Sequence, residues 1–192
     1  MDIKIRKAKI SKSGLLEVSY IDQEGNDITM KGKNKCHNDL RVAFSRLVPY
    51  FADLTEQKEA DRIDWSDLNT AENIELLRVL DVNGISMGSD DAFPIITLTG
   101  KRNLRSTQVL NLNSPGVDIN SDTLEWPHVN EFDSEVQALI YEVKEYILNK
   151  KWEEQQMQID FDANPDDPFA GVGTGIEDIS IEIETPEVAE VA

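Results

Sequence analysis

The sequence predicts an α+β fold with an antiparallel β-meander, a helix, further antiparallel strands, a C-terminal helix and then a disordered acidic tail. Three observations indicate this order. Apolar residues alternate with polar ones near the N-terminus, they recur at helical spacing in two later segments, and the composition changes abruptly after Trp152. We therefore divide the 192 residues into one α+β domain, residues 1–152, and an acidic, largely disordered tail, residues 153–192.

Three antiparallel strands are predicted in the first part of the chain. In "IKIRKAKI", the apolar residues Ile3 and Ile5 have odd numbers, whereas Ala8 and Ile10 have even numbers. One extra residue would let both pairs point to the same face, so we expect a β-bulge near Lys7. The segments "GLLEVSYID" and "DITMKGK" alternate in the same way, and "DQEGND" between them is typical of a turn. The residues expected to point inward from these two strands are Leu16, Val18, Tyr20, Ile28 and Met30.

The first helix is predicted in "NDLRVAFSRLVPYFADL", where apolar residues recur every three or four positions. Asn38 or Asp39 can cap its start, because their side chains accept hydrogen bonds from the first backbone amides. Pro49 lies inside the helical pattern and lacks a backbone donor, so it should kink the helix or divide it. We interpret His37, just ahead of this helix, as a local hydrogen-bonding residue.

The second half of the domain is predicted to contain about three strands and a helix. The polar segment "DRIDWSDLNTAEN" indicates a linker with one helical turn, and "IELLRVLDVNGISMG" becomes a strand by Val79. Two more strands are expected in "FPIITLTGKRNL" and "TQVLNLNS". Asp133 or Ser134 then opens the helix "SEVQALIYEVKEYILNKKW", with Lys150 and Lys151 in its last turn, where cations complement the helix dipole.

The net charge of −18 is unevenly distributed along the chain. Residues 1–50 contain ten Lys and Arg against six Asp and Glu, residues 51–152 nine against nineteen, and residues 153–192 none against twelve. A pI near 4.4 argues against nucleic-acid binding by the chain as a whole. The basic first quarter weakens that argument, because binding depends on the local charge of a surface.

Basic residues cluster on or beside strands that could be neighbours in the sheet. If those strands pair, their solvent faces would form one positive surface suited to phosphate. The alternative is that the same lysines and arginines only decorate an exposed sheet face and protect its edges. The candidate nucleic-acid-binding residues are Lys4, Arg6, Lys7, Lys9, Lys31, Lys33, Lys101, Arg102 and Arg105.

We find no catalytic, metal-binding or cofactor-binding pattern in the sequence. His37 and His128, the two histidines, are ninety-one residues apart with no HExxH spacing, and Cys36 is the single cysteine. A lone cysteine excludes an internal disulfide and is typical of a reducing cytoplasm, and no apolar run is long enough to cross a bilayer. We therefore predict a cytoplasmic, non-enzymatic protein with no cofactor and no membrane contact.

The tail contains "DFDANPDDPF", which places two large aromatic residues in an acidic segment. This stretch resembles the acidic tails of bacterial single-stranded-DNA-binding proteins, which end in a hydrophobic residue. In this chain twenty-three residues follow Phe169, so the terminal carboxylate of those tails is not beside it. The resemblance implies a segment that docks in a basic-rimmed pocket of a partner or competes with phosphate. The implied partner-binding residues are Phe161, Asp166, Asp167 and Phe169.

Residues 1–150 resemble a family of small proteins encoded by tailed phages and prophages. The resemblance rests on the block "KNKCHNDLRVAFSRLVPYFADLTE" and on the later pair "TLTGKRNL" and "VLNLNSP". Such proteins occur near replication and recombination genes, so the resemblance implies a setting in the host-cell cytoplasm and gives no mechanism. The matching positions are His37, Asp39, Leu40, Leu47, Pro49, Gly100, Lys101, Leu110, Asn111 and Pro115.

Two functional hypotheses follow from these features. The first is an accessory protein of phage DNA replication or recombination, which binds single-stranded DNA or a replication or recombination protein and uses its tail to recruit or regulate. The second is an acidic inhibitor or DNA mimic of a host DNA-binding or defence enzyme, which the excess of carboxylates in residues 51–152 favours. A structural virion component and a homo-oligomer both stay open.

Overall fold

Seven β-strands form one antiparallel sheet in the computed structural model, which describes residues 3–88, 95–119 and 125–152. The described strands are β1 (Lys4–Ile10), β2 (Leu15–Ile21), β3 (Asp27–Lys35), β4 (Leu80–Met87), β5 (Ile95–Asn103), β6 (Val109–Asn113) and β7 (Val117–Asp118). Their order is β3-β2-β1-β4-β5-β6, and the short β7 also pairs with β5. The predicted meander is confirmed, and β1 lies in the interior of the sheet between β2 and β4.

The described helices are α1 (Asn38–Arg46), α2 (Val48–Leu54), α3 (Ala71–Leu77), α4 (Val129–Leu148) and a short 3-10 helix (Ala60–Arg62). His37 caps α1, because its Nδ1 accepts a hydrogen bond from the Asp39 amide at 3.2 Å. Pro49 lies in the first turn of α2, so it divides the predicted helix after Leu47. The local hydrogen bond expected of His37 and the break at Pro49 are confirmed. The cap expected at Asn38 or Asp39 is wrong, because His37 is the N-cap and Asn38 is already the first helical residue.

The helices cover one face of the sheet, and the core lies between the two layers. Phe44 and Phe51 on the first two helices are buried, as are Leu16 and Leu98 on the strands. Tyr146 of α4 donates a hydrogen bond from its hydroxyl to the backbone oxygen of Asn34 at 2.6 Å, which anchors α4 over β3. The fold is therefore α+β, as the apolar periodicities predicted.

The β-bulge expected near Lys7 is present in β1. The pairing with β2 shifts register between Ile5 and Lys7, which leaves Arg6 as the extra residue. Because of this shift, Ile5 and Ala8 both point into the core although they differ in parity. Lys7 is thereby directed to the other face of the sheet.

The final helix starts earlier than the sequence predicted. It begins at Val129, four residues before Asp133, and its His128 cap makes no side-chain hydrogen bond. Burial of Phe132 explains this start, since its ring is fully buried and anchors the first turn. The prediction for Lys150 and Lys151 is also wrong, because the helix ends at Leu148 and both lysines follow it.

α3 was expected only as part of a polar linker with one helical turn. Thr70 caps it by accepting a hydrogen bond from the Asn73 amide at 3.2 Å. The side chain of Asn73 is buried, and its amide nitrogen donates to the backbone oxygens of Asp64 and Asp67. A buried polar residue therefore fixes the linker to the helix, which an apolar pattern cannot reveal.

Candidate nucleic-acid interface

The sheet face opposite the helices, here called the open face, collects most of the predicted basic residues. No described helix packs against it, and the side chains that point to it alternate with the buried ones. Its cations are Lys4, Arg6, Lys7, Lys9, Lys31, Lys33, Lys35 and Lys101, and its described carboxylates are Glu17, Asp27, Asp81 and Asp118. The open face is therefore basic, although the whole chain is strongly acidic.

Three of the open-face cations lie next to carboxylates on the same face. Lys31 Nζ lies 3.1 Å from Glu17 Oε1, and Lys101 Nζ lies 3.1 Å from Asp81 Oδ2. Arg6 Nε, at the bulge, lies 3.8 Å from Asp27 Oδ1. These pairs are partly exposed, so water and salt screen them and a phosphate can compete for the cation.

Lys7, Lys9 and Lys33 form no ion pair among the described residues. Lys7 and Lys9 belong to the interior strand β1, whereas Lys33 belongs to the edge strand β3. Lysines that protect an edge belong on edge strands. Edge protection therefore explains Lys33 and does not explain Lys7 and Lys9, whose ammonium groups form no ion pair with the described residues and are available to an anion.

A row of hydroxyl side chains crosses the open face on both sides of Lys7. In the cross-strand register, Lys7 lies opposite Ser19 on β2 and Ser86 on β4. Ser19 lies opposite Thr29, and their hydroxyl oxygens are 3.0 Å apart, while Ser86 lies opposite Thr97. Hydroxyl and ammonium groups are the donors that proteins use on phosphate oxygens. We call these four residues and Lys7 the hydroxyl row.

Gly84 leaves a gap in the side chains of the open face beside the hydroxyl row, because glycine has no side chain. It lies opposite Lys9 and next to Thr99 in the sheet. A Cβ atom added at Gly84 would lie 3.3 Å from Thr99 Cβ and 3.5 Å from Lys9 Cγ. Because Gly84 has no side chain, the aliphatic part of Lys9 lies close over β4.

Arg102 is separated from this surface, although the sequence grouped it with Lys101. It lies opposite Leu80, which is buried, so its side chain points to the helix side. There Nη1 and Nη2 donate to the two carboxylate oxygens of Glu59 at 2.6 and 2.7 Å. The guanidinium lowers the pKa of Glu59 through these hydrogen bonds. Arg102 thus joins β5 to the helix layer and is not available to phosphate on the open face.

The remaining predicted residues fall in two places. Arg105 lies in the exposed turn between β5 and β6, at the end of the sheet. The tail residues Phe161, Asp166, Asp167 and Phe169 lie outside the described residues, as does the whole predicted tail.

No aromatic side chain lies on the open face among the described strand residues. Tyr20, the one aromatic residue of these strands, lies opposite Ile5 and Ile28 and points to the helix side. Base stacking on a sheet needs exposed aromatic rings. The open face can therefore bind phosphates through charge and hydrogen bonds, and it provides no stacking platform.

An aromatic cluster on the helix side was not predicted from the sequence, because its members lie far apart in the chain. The Trp65 ring stacks on His128 with centroids 3.6 Å apart, and Trp126 Nε1 donates to Asp53 at 2.7 Å. Tyr50 contacts both indoles. Alternation or helical spacing could not have found this cluster, since its members come from separate loops and helices.

A second concave feature lies on the helix side, away from the open face. It is a cleft of about 750 Å³ between α1, α2, α3 and the loop after Ile63. Its lining is largely apolar, and Ile74 and Val42 at its rim are exposed. Arg46 and Glu135 lie in it with Nη1 and Oε2 3.9 Å apart. No group of three or more metal-ligating side chains occurs in the part of the chain that the structure describes.

None of the described helices is long and apolar enough to cross a bilayer. Comparison of the chain with protein-family models, curated proteins and solved structures finds no match. Its function is therefore inferred from its own residues and their geometry.

Proposed function

We propose that this chain is a non-enzymatic accessory protein of phage DNA replication or recombination, and that its open face binds the phosphates of nucleic acid. The observation that carries the proposal is the pair of unpaired lysines, Lys7 and Lys9, on an interior strand beside the hydroxyl row. The phage setting rests on the sequence resemblance of residues 1–150.

The chemistry of the open face supports binding that depends on charge and not on base sequence. Lysine and hydroxyl donors recognise phosphate oxygens, which are the same for every base. Without aromatic rings on the open face, unstacked bases gain little there, so single strands and duplexes are both ligands. We expect the affinity to fall steeply with salt, because each neutralised phosphate releases condensed counterions.

The acidic tail has a separate role in this proposal. Phe161 and Phe169, with Asp166 and Asp167, recruit a replication or recombination protein or regulate nucleic-acid binding. Changing both aspartates in the full chain, Asp166→Asn with Asp167→Asn, distinguishes these roles. Tighter DNA binding indicates regulation, whereas unchanged DNA binding leaves recruitment as the role of the tail.

The test of the open face is fluorescence anisotropy of labelled single-stranded and duplex DNA, titrated with the full chain at several salt concentrations. The double variant Lys7→Gln with Lys9→Gln should bind more weakly to both probes. Two lost phosphate contacts should reduce the slope of log affinity against log salt by ~1.4 for single strands and ~1.8 for duplex.

The matched control is the double variant Lys58→Gln with Lys150→Gln. It removes the same charge from exposed positions that follow α2 and α4 on the helix side. An effect of net charge alone would weaken binding equally in the two double variants. Equal weakening, or no salt-dependent binding by the unchanged chain, contradicts the proposal.

The DNA-mimic alternative has one observation in its favour. α4 carries five carboxylates and a single lysine, Lys144, so acidic groups concentrate on the helix side while cations concentrate on the open face. A mimic should bind a DNA-binding enzyme and no DNA. If the anisotropy titration shows no binding, neutralising Glu131 and Asp133 and measuring inhibition of such an enzyme becomes the relevant experiment.

A further inference from the structure

The outer edge of β6 lacks the charges, prolines and bulges that commonly prevent pairing with another strand. β6 pairs with β5 on one side, and no described strand pairs with its other side. Its sequence, VLNLN, contains no charged residue and no proline, and its register with β5 shows no bulge. Natural sheets use charges, prolines and bulges at their edges to prevent edge-to-edge pairing. Because β6 has no charged residue, no proline and no bulge, its outer edge is suited to pairing with another strand.

The opposite edge of the sheet shows what protection looks like in this protein. The edge strand β3 carries Lys31, Lys33 and Lys35 at alternating exposed positions. Just after β3, Cys36 forms a backbone bridge with Trp152, so the segment at Trp152 covers this end of the edge strand. The two edges of the sheet thus differ, and the outer side of β6 has no partner among the described residues.

The hydrogen bonds to β5 show which backbone groups of β6 face its free edge. Leu104 donates to the carbonyl of Gln108, and Ser114 donates to the carbonyl of Leu98. In an antiparallel ladder alternate residues bond to the same neighbour, so the even-numbered residues from 108 to 114 point to β5. The residues whose N–H and C=O groups point to the free edge are Val109, Asn111 and Asn113.

Both faces of β6 present an exposed apolar side chain. Val109 is 51% exposed on the open face, and Leu110 is 45% exposed on the helix side. An added strand would cover part of both side chains and would also pair the free backbone groups. A single copy leaves these groups in water.

We propose that β6 pairs antiparallel with β6 of a second copy of this chain, so that the two sheets join into one. The sequence VLNLN is self-complementary about its centre in such a pair. Asn111 lies opposite the partner's Asn111, and Leu110 lies opposite the partner's Leu112. Symmetric pairing of one surface with itself is the commonest form of a protein dimer.

The register of this dimer follows from the free backbone groups. Asn111 and the partner's Asn111 form a hydrogen-bonded pair, and Val109 forms another with the partner's Asn113, each exchanging two backbone bonds. The leucines meet between these pairs on the helix side. Other registers leave free groups unmatched or place leucine opposite asparagine.

The pairing also determines where the two open faces lie. Residues directly opposite in a sheet point to the same face, so Asn111 and the partner's Asn111 both lie on the open face. The two open faces then lie side by side and double the basic surface. This inference concerns the oligomeric state, and it stands whether or not nucleic acid is bound.

The test is the mass of the full chain by size-exclusion chromatography with light scattering across a wide concentration range. We expect twice the 21.7 kDa of one chain. Asn111→Pro and Leu110→Lys should each halve that mass. The folded monomer accommodates both changes, because the Asn111 amide does not bond to β5 and Leu110 is already half exposed.

Ile74→Lys is the matched control, since it adds the same lysine at a side chain that is 63% exposed on α3. It should leave the dimer intact. Amide hydrogen exchange gives an independent readout, because the Val109, Asn111 and Asn113 amides should be protected in the dimer and lose protection on dilution. A chain that stays monomeric at every concentration, or a dimer that neither β6 variant dissociates, overturns the proposal.

Discussion

Replacing Arg102 with glutamine should destabilise the fold while leaving nucleic-acid binding unchanged. Arg102 Nη1 donates to Glu59 Oε2 at 2.6 Å and to Gln57 Oε1 at 2.9 Å, and Nη2 donates to Glu59 Oε1 at 2.7 Å. The Arg102 and Glu59 side chains are only 16% and 9% exposed. Without the guanidinium, the nearly buried Glu59 carboxylate loses its ion pair and both of its hydrogen bonds to Arg102.

The size of the loss follows from this burial. Removing one partner of a buried ion pair costs about 3–5 kcal/mol, because the other charge remains desolvated. Both side chains of this pair retain some contact with water, so we expect the lower end, about 3 kcal/mol. With a urea dependence of about 2 kcal/mol per molar for a domain of this size, the unfolding midpoint should fall by about 1.5 M.

The loss should depend on pH in a defined direction. Hydrogen bonds from Arg102 hold the pKa of Glu59 below its ordinary value of 4.5. A depressed folded pKa means that the pair stabilises the fold above the unfolded pKa and that this contribution disappears as the pH falls through the folded value. The Arg102→Gln variant should therefore differ most from the unchanged chain near neutral pH and least at about pH 3.

The assay is urea unfolding followed by tryptophan fluorescence at neutral and acidic pH. The double variant Glu59→Gln with Arg102→Met is the control, since it removes both charges and should recover most of the lost stability. A loss below about 1 kcal/mol at neutral pH, or a deficit that grows on acidification, would refute this account of the pair. If the Arg102→Gln variant shows a smaller slope of log affinity against log salt for DNA binding, Arg102 contacts nucleic acid.

Two further predictions concern the core. Gly100→Ala should cost about 1–3 kcal/mol by thermal unfolding, because the added carbon would lie 2.4 Å from the Asp81 carbonyl and 2.8 Å from the Phe51 ring. Gly84→Ala on the open face should cost much less, and equal losses would contradict this packing. Burial raises the pKa of Cys36 to about 11, so a thiol reagent at mildly alkaline pH should modify it only as fast as the fold opens. Immediate labelling of the folded chain would show that the thiol is accessible.

The parts of the fold that local patterns determine were predictable from the sequence. The slip in parity after Ile5 predicted the bulge, because a strand with one covered face can turn residues of both parities towards that face only by inserting one residue. Pro49 predicted the break between the first two helices, since no fold can restore its missing donor. The bulge and the helix break each depend on a few consecutive residues, so tertiary contacts do not change them.

The start of α4 depended on contacts that lie far away in the chain. Asp133 and Ser134 are good capping residues by type, yet the helix continues past them to Val129. The added turn buries Phe132 against the rings of Tyr50 and Trp126. Burial of an aromatic ring contributes more free energy than one cap, so tertiary contact overrides the local signal.

The candidate site shows the same division between local and distant determinants. The basic residues of β1 are evident in the sequence, but their neighbours on β4 are about seventy-five residues away. Pairing of β1 with β4 places Ser86 beside Lys7 and Gly84 beside Lys9. The order of strands in a sheet is not encoded in any short segment. The hydroxyl row could not therefore have been predicted, although each of its members alternates correctly within its own strand.

The sequence could have predicted that Lys101 and Arg102 point to opposite faces of the sheet. In a strand without a bulge, neighbouring side chains point to opposite faces, so Lys101 and Arg102 cannot both lie on the open face. Leu98 and Gly100 share the parity of Arg102, and an apolar residue followed by a glycine already indicates the packed side. An arginine that continues such a series needs a buried acceptor, and Glu59 supplies it. A run of cations in a strand therefore predicts two different roles, one for each face.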